Sequence, residues 1–183
     1  MDNGACNYRR FLDGDEHAFD EIVESLFRGL VYFVDRIVHD SHAAEDIAMD
    51  ALADLIVHRH RYNFKVSLKT YVYMLARHRA LDYLRRRRVR SHAGAQEAAD
   101  VPDDDTDLEE AVLTDERKRA VNAALSHLRE DMRETVHLVY FEGMTYDEAA
   151  RVMKKNRKQI DNLLYRAKKE LREILGEEGK QWL

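Results

Sequence analysis

The scarcity of proline is the feature that most constrains the fold of this chain. Its 183 residues contain one proline, Pro102, and seven glycines. Proline breaks helices and glycine destabilises them, so long stretches of this chain are free to be helical. Apolar residues also recur at helical spacing almost everywhere outside the middle of the chain. The sequence therefore predicts an all-α protein.

Apolar stripes predict three helices in the first half of the chain. The first stripe comprises Phe19, Ile22, Val23, Leu26, Leu30, Phe33 and Ile37, and the second comprises Ala44, Ile47, Ala48, Ala51 and Leu55. The segment "HDSHAAED" lies between them as a predicted connection. Ser67 is a favourable N-cap for a third helix, which would bury Leu68, Tyr71, Val72 and Leu75 and end in an arginine run.

The middle of the chain has the composition of a flexible acidic linker. Residues 92–106 contain alanine, acids, glycine and proline but no repeating apolar pattern. We therefore expect two small helical domains, residues 1–91 and 107–183, joined by the linker at 92–106.

The second half predicts a helix-turn-helix. Its first two helices are marked by Leu113, Val121, Ala124, Leu125 and Leu128, then by Val136, Val139 and Tyr140, with Gly143 as a stop. Thr145 and Glu148 form a capping-box pattern before "YDEAARVM", and Asn156 and Gln159 can cap "RKQIDNLLYRAKKELREIL". The short turn "KKN" joins these two helices, and the second has a basic face suited to a DNA major groove.

Charge is sorted into blocks along the chain, whose formal net charge is -5. Residues 57–90 carry 11 Lys and Arg against one acid, and residues 151–172 carry nine bases against two acids. Residues 1–56 and 94–116 are acidic, the latter with ten acids and no base. Two basic blocks on either side of an acidic one indicate two polyanion-binding surfaces, although a single such block is typical of a solvated helix face.

Other functional classes have little support in the sequence. The single cysteine, Cys6, excludes an internal disulfide and thiol-based zinc fingers. The chain has no apolar run of membrane-spanning length and no signal peptide, so we expect a cytoplasmic protein without membrane insertion. An enzyme is the first alternative, since His58 with His60 or His39 with His42 suggest a metal site. No phosphate loop or nucleophile elbow accompanies them, and we expect no catalytic residue, metal or cofactor.

At the level of whole segments the chain resembles the small bacterial RNA polymerase sigma factors of the extracytoplasmic-function (ECF) type. The similarity lies in "AEDIAMDALADLI", "SLKTYVYMLARHRALDYLRRRR", the acidic linker, "LVYFEGMTYDEAARVM" and "IDNLLYRAKKEL", in that order. It implies that residues 1–91 are similar to sigma region two and residues 107–183 to region four. It also implies core RNA polymerase and promoter DNA as partners. Regulation by an anti-sigma protein is common in this family, although the sequence identifies none.

The resemblance assigns candidate site residues in the first domain. The helix from Ala43 to His58 would bind core polymerase through Asp46, Met49, Asp50 and Asp54. The following loop and helix would capture and open the minus-ten promoter element, which requires cations and side chains that hold an extruded base. Its candidates are Tyr62, Asn63, Phe64, Lys65, Ser67, Lys69, Arg77, His78, Arg79, Arg85, Arg86, Arg87 and Arg88. The arginine run would clamp the DNA backbone.

The helix-turn-helix would bind the minus-thirty-five element. Arg157, Lys158, Gln159 and Asn162 are the candidates for base contacts, and Arg166, Lys168 and Lys169 are those for phosphate contacts. Several residues depart from the family pattern: Met49, Ile56, His78, Lys154, Lys155 and Asp161. Lys154 stands where a turn glycine is usual, and Asp161 where a basic residue is frequent.

Two non-enzymatic alternatives stay open at the level of sequence. A polymerase-independent helix-turn-helix regulator would account for the second domain but leaves the basic helix of the first unexplained. A sigma-like interaction protein without promoter selectivity would fit the departures at His78 and Asp161.

Overall fold

The computed structural model describes residues 3–92 and 115–179, which form helices and turns and no strand. The all-α prediction is confirmed. The predicted linker, residues 92–106, lies outside the described residues except for His92, the last residue of its helix. Leu113, predicted to begin the next helix, also lies outside them.

Four helices form the first half: α1 (Asn3–Leu12), α2 (His17–Val38), α3 (Ser41–Val57) and α4 (Leu68–His92). The two predicted apolar stripes lie on α2 and α3, and their central residues are buried in one core. The connection between these helices is shorter than predicted. Asp40 is already the N-cap of α3, its Oδ1 accepting a hydrogen bond from the Ala43 backbone N–H at 3.0 Å, so the helix begins at Ser41.

Helix α1 was not among the predicted helices, yet it completes the core. Tyr8 has no exposed surface, and its hydroxyl lies 2.9 Å from the Leu55 carbonyl oxygen and 3.0 Å from that of Arg59. Its ring also contacts Phe11 and Tyr62. Helix α1 therefore fixes the end of α3 and the start of the loop that leads to α4.

Helix α4 begins as predicted. The Ser67 hydroxyl accepts a hydrogen bond from the Thr70 backbone N–H at 3.1 Å, as expected of an N-cap. Leu68 and Val72 are fully buried, whereas Tyr71 is only half-buried. The fully buried aromatic residue is Tyr73, which packs on Phe33 of α2.

The second half contains α5 (Asp115–His127), α6 (Glu130–Val136), a π-helical turn (His137–Phe141), α7 (Tyr146–Met153) and α8 (Arg157–Gly179). Gly143 adopts a φ of 66° just after the π-helical turn, at the predicted stop. Thr145 and Glu148 form a complete capping box at the start of α7. Asn156 and Gln159 exchange equivalent bonds at the start of α8, at 2.8 and 2.9 Å.

The turn between α7 and α8 depends on a left-handed residue that is not glycine. Lys154 has a φ of 52° there, a conformation that costs an L-residue roughly 1–2 kcal/mol. We expect Lys154→Gly to increase the free energy of unfolding by about 0.5–1 kcal/mol, measured by urea titration. The adjacent Lys155 does not have positive φ, so Lys155→Gly should destabilise the protein instead. Equal effects of the two substitutions would contradict this account.

The two halves pack directly on each other. Helix α4 lies against α7, and α2 lies against α6. One hydrophobic core runs through both halves, from Tyr8 to Leu171. The start of α4, where DNA binding is predicted, is consequently part of the contact between the halves.

Candidate nucleic-acid interface

The basic face of α8 is held outward by a buried face on the same helix. Ile160 has no exposed surface and Leu164 is 2% exposed, so both anchor α8 to the domain. The predicted minus-thirty-five candidates are exposed, except for Lys168, which is half-buried with its Nζ 5.3 Å from the centre of the Tyr140 ring: Arg157, Lys158, Gln159, Asn162, Arg166, Lys168 and Lys169. An exposed cationic face beginning at a helix N-terminus has the geometry required for the major groove.

Neighbouring side chains already orient part of this face. Arg157 forms an ion pair with Asp147 of α7 at 3.1 Å, and the Gln159 side-chain oxygen accepts the Asn156 backbone N–H. Both contacts are exposed, so water and DNA can compete for them at little cost. Asp161 is also exposed, and its carboxylate is free to turn away from phosphate.

The arginine run lies on the last turns of α4. Arg85, Arg86 and Arg88 are exposed and Arg87 is half-buried. Arg85 donates a hydrogen bond to Asp82 at 2.9 Å, and Asp82 also lies 3.4 Å from the predicted DNA-binding residue His78. The run therefore forms a cationic surface at the end of α4.

The two aromatic residues of the loop before α4, Tyr62 and Phe64, differ in burial. Tyr62 is 4% exposed, and its hydroxyl donates to the Val66 carbonyl oxygen at 2.7 Å, so it supports the loop from within. Phe64 is half-buried against Tyr62, with a φ of 60°. Asn63 and Lys65 are exposed. Of the residues predicted to lie near an extruded base, Asn63 and Lys65 have the most accessible side chains.

Three predicted minus-ten contacts are occupied by acids of the second half. Arg77 Nε donates to Glu134 Oε2 at 2.6 Å, and Lys69 Nζ lies 2.7 Å from Glu142 Oε2. The Ser67 hydroxyl donates to Glu148 Oε1 at 3.0 Å. The three acceptors are Glu134, Glu142 and Glu148. The sequence distinguished Glu148 only as a capping-box residue, and nothing local indicated that any of these three acids would contact the start of α4.

The predicted polymerase-binding residues lie on α3, beside α4. Asp46, Met49 and Asp50 are exposed, with Met49 at 50%. Asp54 is 8% exposed and accepts a hydrogen bond from Arg79 at 3.1 Å, so it joins α3 to α4. A groove between these helices is lined by residues of both predicted surfaces, including Asp50, Asp54, His78, Arg79, Arg85 and Arg86. The two predicted surfaces therefore adjoin.

Comparison with known proteins decides the family. The family model of sigma-70 region 2 matches residues 10–90, and that of sigma-70 region 4 matches residues 118–171. Together they cover most of the chain, in the order expected from the sequence. This chain is an ECF-type sigma factor. The predicted family and function are thus confirmed, and the polymerase-independent regulator is not favoured.

Individual relatives agree with this family. The sigma factor is 29% identical to the RNA polymerase sigma-H factor of Pseudomonas aeruginosa over 88% of each chain. It is 24% identical to the ECF sigma factor SigM of Bacillus subtilis, over 85% of this chain and 93% of SigM. The fold is similar to that of the sigma factor RpoE in its complex with the anti-sigma factor NepR from Bartonella quintana. That similarity has a TM-score of 0.66 at 22% identity and covers 86% of this chain and 96% of that one.

Members of this family are non-enzymatic initiation factors that direct RNA polymerase. Among the residues that the structure describes in this sigma factor, no group of three or more His, Cys, Asp or Glu is arranged to hold a metal ion. No described helix is long and apolar enough to cross a membrane.

Three polar residues at the contact between the halves, Glu134, His137 and Glu142, have shifted pKa values. Burial opposes ionisation of Glu142, but interactions with His137, Lys69 and Tyr73 outweigh it and lower the Glu142 pKa to about 2. Burial lowers the pKa of His137, although Glu142 lies 3.2 Å away and opposes this shift. Burial raises the pKa of Glu134, against the effect of Arg77. At pH 7 Glu142 is therefore charged and His137 neutral.

The pH dependence of stability follows from Glu142 and His137. The stabilisation from Glu142 is complete above its unfolded-state pKa, about 4.5, and is lost as pH falls towards 2. His137 disfavours the folded state progressively below its unfolded-state pKa, about 6.5, because the unfolded chain then binds a proton more readily. We expect the Tm to fall steadily below pH 6.5.

The variant Glu142→Gln tests how much of the pH dependence of the Tm comes from the Glu142 carboxylate. The variant should have a lower Tm than the wild type at pH 7, and the difference should narrow between about pH 4.5 and pH 3. A thermal unfolding series measures both proteins in the same buffers. A difference that grows as pH falls would contradict the assignment.

Proposed function

We propose that this sigma factor divides promoter recognition between its two predicted domains. Residues 1–91 bind core RNA polymerase and the minus-ten element and help to open the DNA, and residues 107–183 bind the minus-thirty-five element. The linker at 92–106 joins them. The observation that carries this proposal is the presence of two separate cationic surfaces, the end of α4 and the outward face of α8, on a chain of negative net charge.

The chemistry of each surface supports a different task. The face of α8 offers amide and guanidinium groups at Arg157, Gln159 and Asn162, which can form paired hydrogen bonds with base edges. The arginine run at the end of α4 offers charge without a fixed pattern of acceptors, which suits phosphates. Asn63 and Lys65 provide accessible polar groups in the loop before α4, where a base removed from the stack would be held.

The proposed partners are core RNA polymerase, promoter DNA and an anti-sigma protein. Exposed Asp46, Met49 and Asp50 form the proposed polymerase contact, with Asp54 supporting it from beneath. An anti-sigma partner is suggested by the solved complex of RpoE with NepR. We assign the protein no catalytic step of its own, and we place it in the cytoplasm, where the polymerase meets the chromosome.

Run-off transcription tests this function. Purified bacterial core polymerase is supplied with a pool of promoter fragments, with and without the protein. We expect specific transcripts that appear only when the protein is present. Tight binding of duplex DNA by the protein alone, without polymerase binding and without transcripts, would contradict the proposal.

A further inference from the structure

Helix α1 contacts the loop before α4 at its start and at its middle. At the start, the Tyr8 hydroxyl donates to the Arg59 carbonyl oxygen at 3.0 Å. The Arg59 guanidinium in turn lies 4.8 Å from the centre of the Phe11 ring. At the middle, the Arg9 guanidinium lies 4.8 Å from the centre of the Phe64 ring. The side chains of α1 therefore have a defined position beside the residues proposed to hold an extruded base.

Three side chains hold the Phe64 ring in place. Phe64 has a φ of 60°, a left-handed conformation that is unusual for a bulky residue and that tertiary contacts must maintain. Its ring centre lies 4.6 Å from that of Tyr62 and 6.1 Å from that of Tyr8, and Arg9 lies over the ring. The ring face beneath Arg9 is therefore not free to stack on a base. DNA that approaches Phe64 from that side meets the Arg9 guanidinium first.

Arg9 and its neighbour Arg10 differ in their partners. Both are exposed, and both lie in the last turn of α1. Arg10 is paired with two acids, since its Nη2 lies 2.6 Å from Asp15 Oδ2 and its Nη1 lies 3.1 Å from Glu21 Oε2. Among the described residues, no carboxylate forms an ion pair with Arg9. Within that part of the chain the charge and the N–H donors of Arg9 therefore stay available to an anion.

The polar groups around Phe64 match a single strand of DNA. Asn63 and Lys65 flank Phe64 and are exposed, and the Lys65 backbone N–H donates to Asn63 Oδ1 at 3.1 Å, so the chain turns there. Arg9 adds a second cation to Lys65 at this turn. An extruded base stays linked to its phosphate, so a site that captures it needs polar groups for the base and cations for the backbone.

We propose that Arg9 is a further DNA contact of the minus-ten site and binds a phosphate of the separated strand. Its guanidinium, held by the Phe64 ring, forms charge-assisted hydrogen bonds with the phosphate next to the base that the loop before α4 captures. The proposal rests on the proposed assignment of that loop to the minus-ten element. It extends the promoter-binding surface from α4 and its loop to α1.

Three variants test this contact. Arg9→Ala removes it, and Arg9→Lys keeps the charge without the planar guanidinium. Arg10→Ala is the matched control, because it removes the same charge from the adjacent exposed position on the same helix. Alanine favours helices, and exposed ion pairs contribute little to stability, so all three variants should stay folded. Circular dichroism checks that they do.

The measurement uses core polymerase that carries the full-length protein. The probe is a fluorescently labelled promoter fragment that gives a transcript in the run-off experiment, with its minus-ten segment left unpaired so that capture of the strand is separated from opening. Fluorescence anisotropy over a salt series gives the affinity and its salt dependence. We expect Arg9→Ala to bind at least about fivefold more weakly than the wild type, with a log–log salt slope shallower by about 0.7. Arg9→Lys should keep the slope, and Arg10→Ala should change the affinity less than about twofold.

Two results would overturn the proposal. If Arg9→Ala weakens binding no more than Arg10→Ala does, Arg9 does not contact the DNA. If Arg9→Ala weakens binding but keeps the salt slope of the wild type, Arg9 acts on the loop through Phe64 and not on a phosphate. Failure of the proposed function is detected separately, in the wild type. The absence of any transcript that depends on the protein would remove that function and the Arg9 contact with it, whereas wild-type transcripts with Arg9→Ala equal to the control would remove only the contact.

Discussion

Replacing Arg85, Arg86, Arg87 and Arg88 together with alanine is expected to abolish most promoter binding by the polymerase that carries this protein. The run supplies up to four phosphate contacts, and charged hydrogen bonds are worth more than neutral ones. We expect at least about a hundredfold weaker promoter binding at moderate salt, and a log–log salt slope that is shallower by up to about four. Filter binding over a salt series measures both quantities.

Arg85 to Arg88 changed to lysine is the matched control. Lysine keeps the charge but cannot form paired hydrogen bonds, so a backbone clamp should retain most of its affinity and its salt slope. The helix should persist in the alanine variant, since most of the run is exposed and alanine favours helices. A lysine variant as defective as the alanine variant would show that the run makes specific contacts instead.

Local features of this fold could be predicted from the sequence because their causes lie within a few residues. The apolar stripes of α2 and α3 require only helical spacing. The caps at Ser67, Thr145 and Asn156 each depend on a partner three residues away. The outward face of α8 followed from the alternation of Ile160 and Leu164 with basic residues. These predictions rest on chain geometry that tertiary contacts did not override.

Long-range partners could not be predicted in the same way. Arg77 and Glu134 are 57 residues apart, and Ser67 and Glu148 are 81 apart. Charge counting identified the basic block around Arg77 but had no means of identifying which acids lie against it. Tyr62, in the loop before α4, and Tyr73, on α4, show the same limit, because an aromatic side chain suits a buried position and a binding surface equally. Their burial depends on α1 and α2, which are distant in sequence.

The contact between the halves pairs part of the basic block of α4 with acids of the second half. The glutamates that the structure shows against the start of α4 are Glu134, Glu142 and Glu148 of the second half, placed there by α6, the π-helical turn and α7. The π-helical turn positions both His137 and Glu142 against α2 and α4, and such turns often occur at functional sites. Three residues proposed to contact minus-ten DNA, Ser67, Lys69 and Arg77, thus also join one half to the other.

Ile160→Ala is expected to lower the free energy of unfolding of the second half by about 2–5 kcal/mol. Ile160 has no exposed surface and is followed on the same face by Leu164 and Ala167, so removing its side chain leaves a cavity beneath α8. Urea unfolding followed by circular dichroism measures the loss. Binding of minus-thirty-five DNA should weaken with it, because the basic face is positioned by the packing of this helix.

Two further variants separate packing from surface effects. Ile160→Val removes one methylene and should cost about 0.5–1.5 kcal/mol, since the cavity is smaller. Tyr165→Ala removes a larger side chain from the same helix, but that side chain is 72% exposed, so the change should stay within about 0.5 kcal/mol. A loss at Tyr165 as large as that at Ile160 would mean that α8 is held by its outer face. The cationic surface assigned to DNA would then lie on the wrong side of the helix.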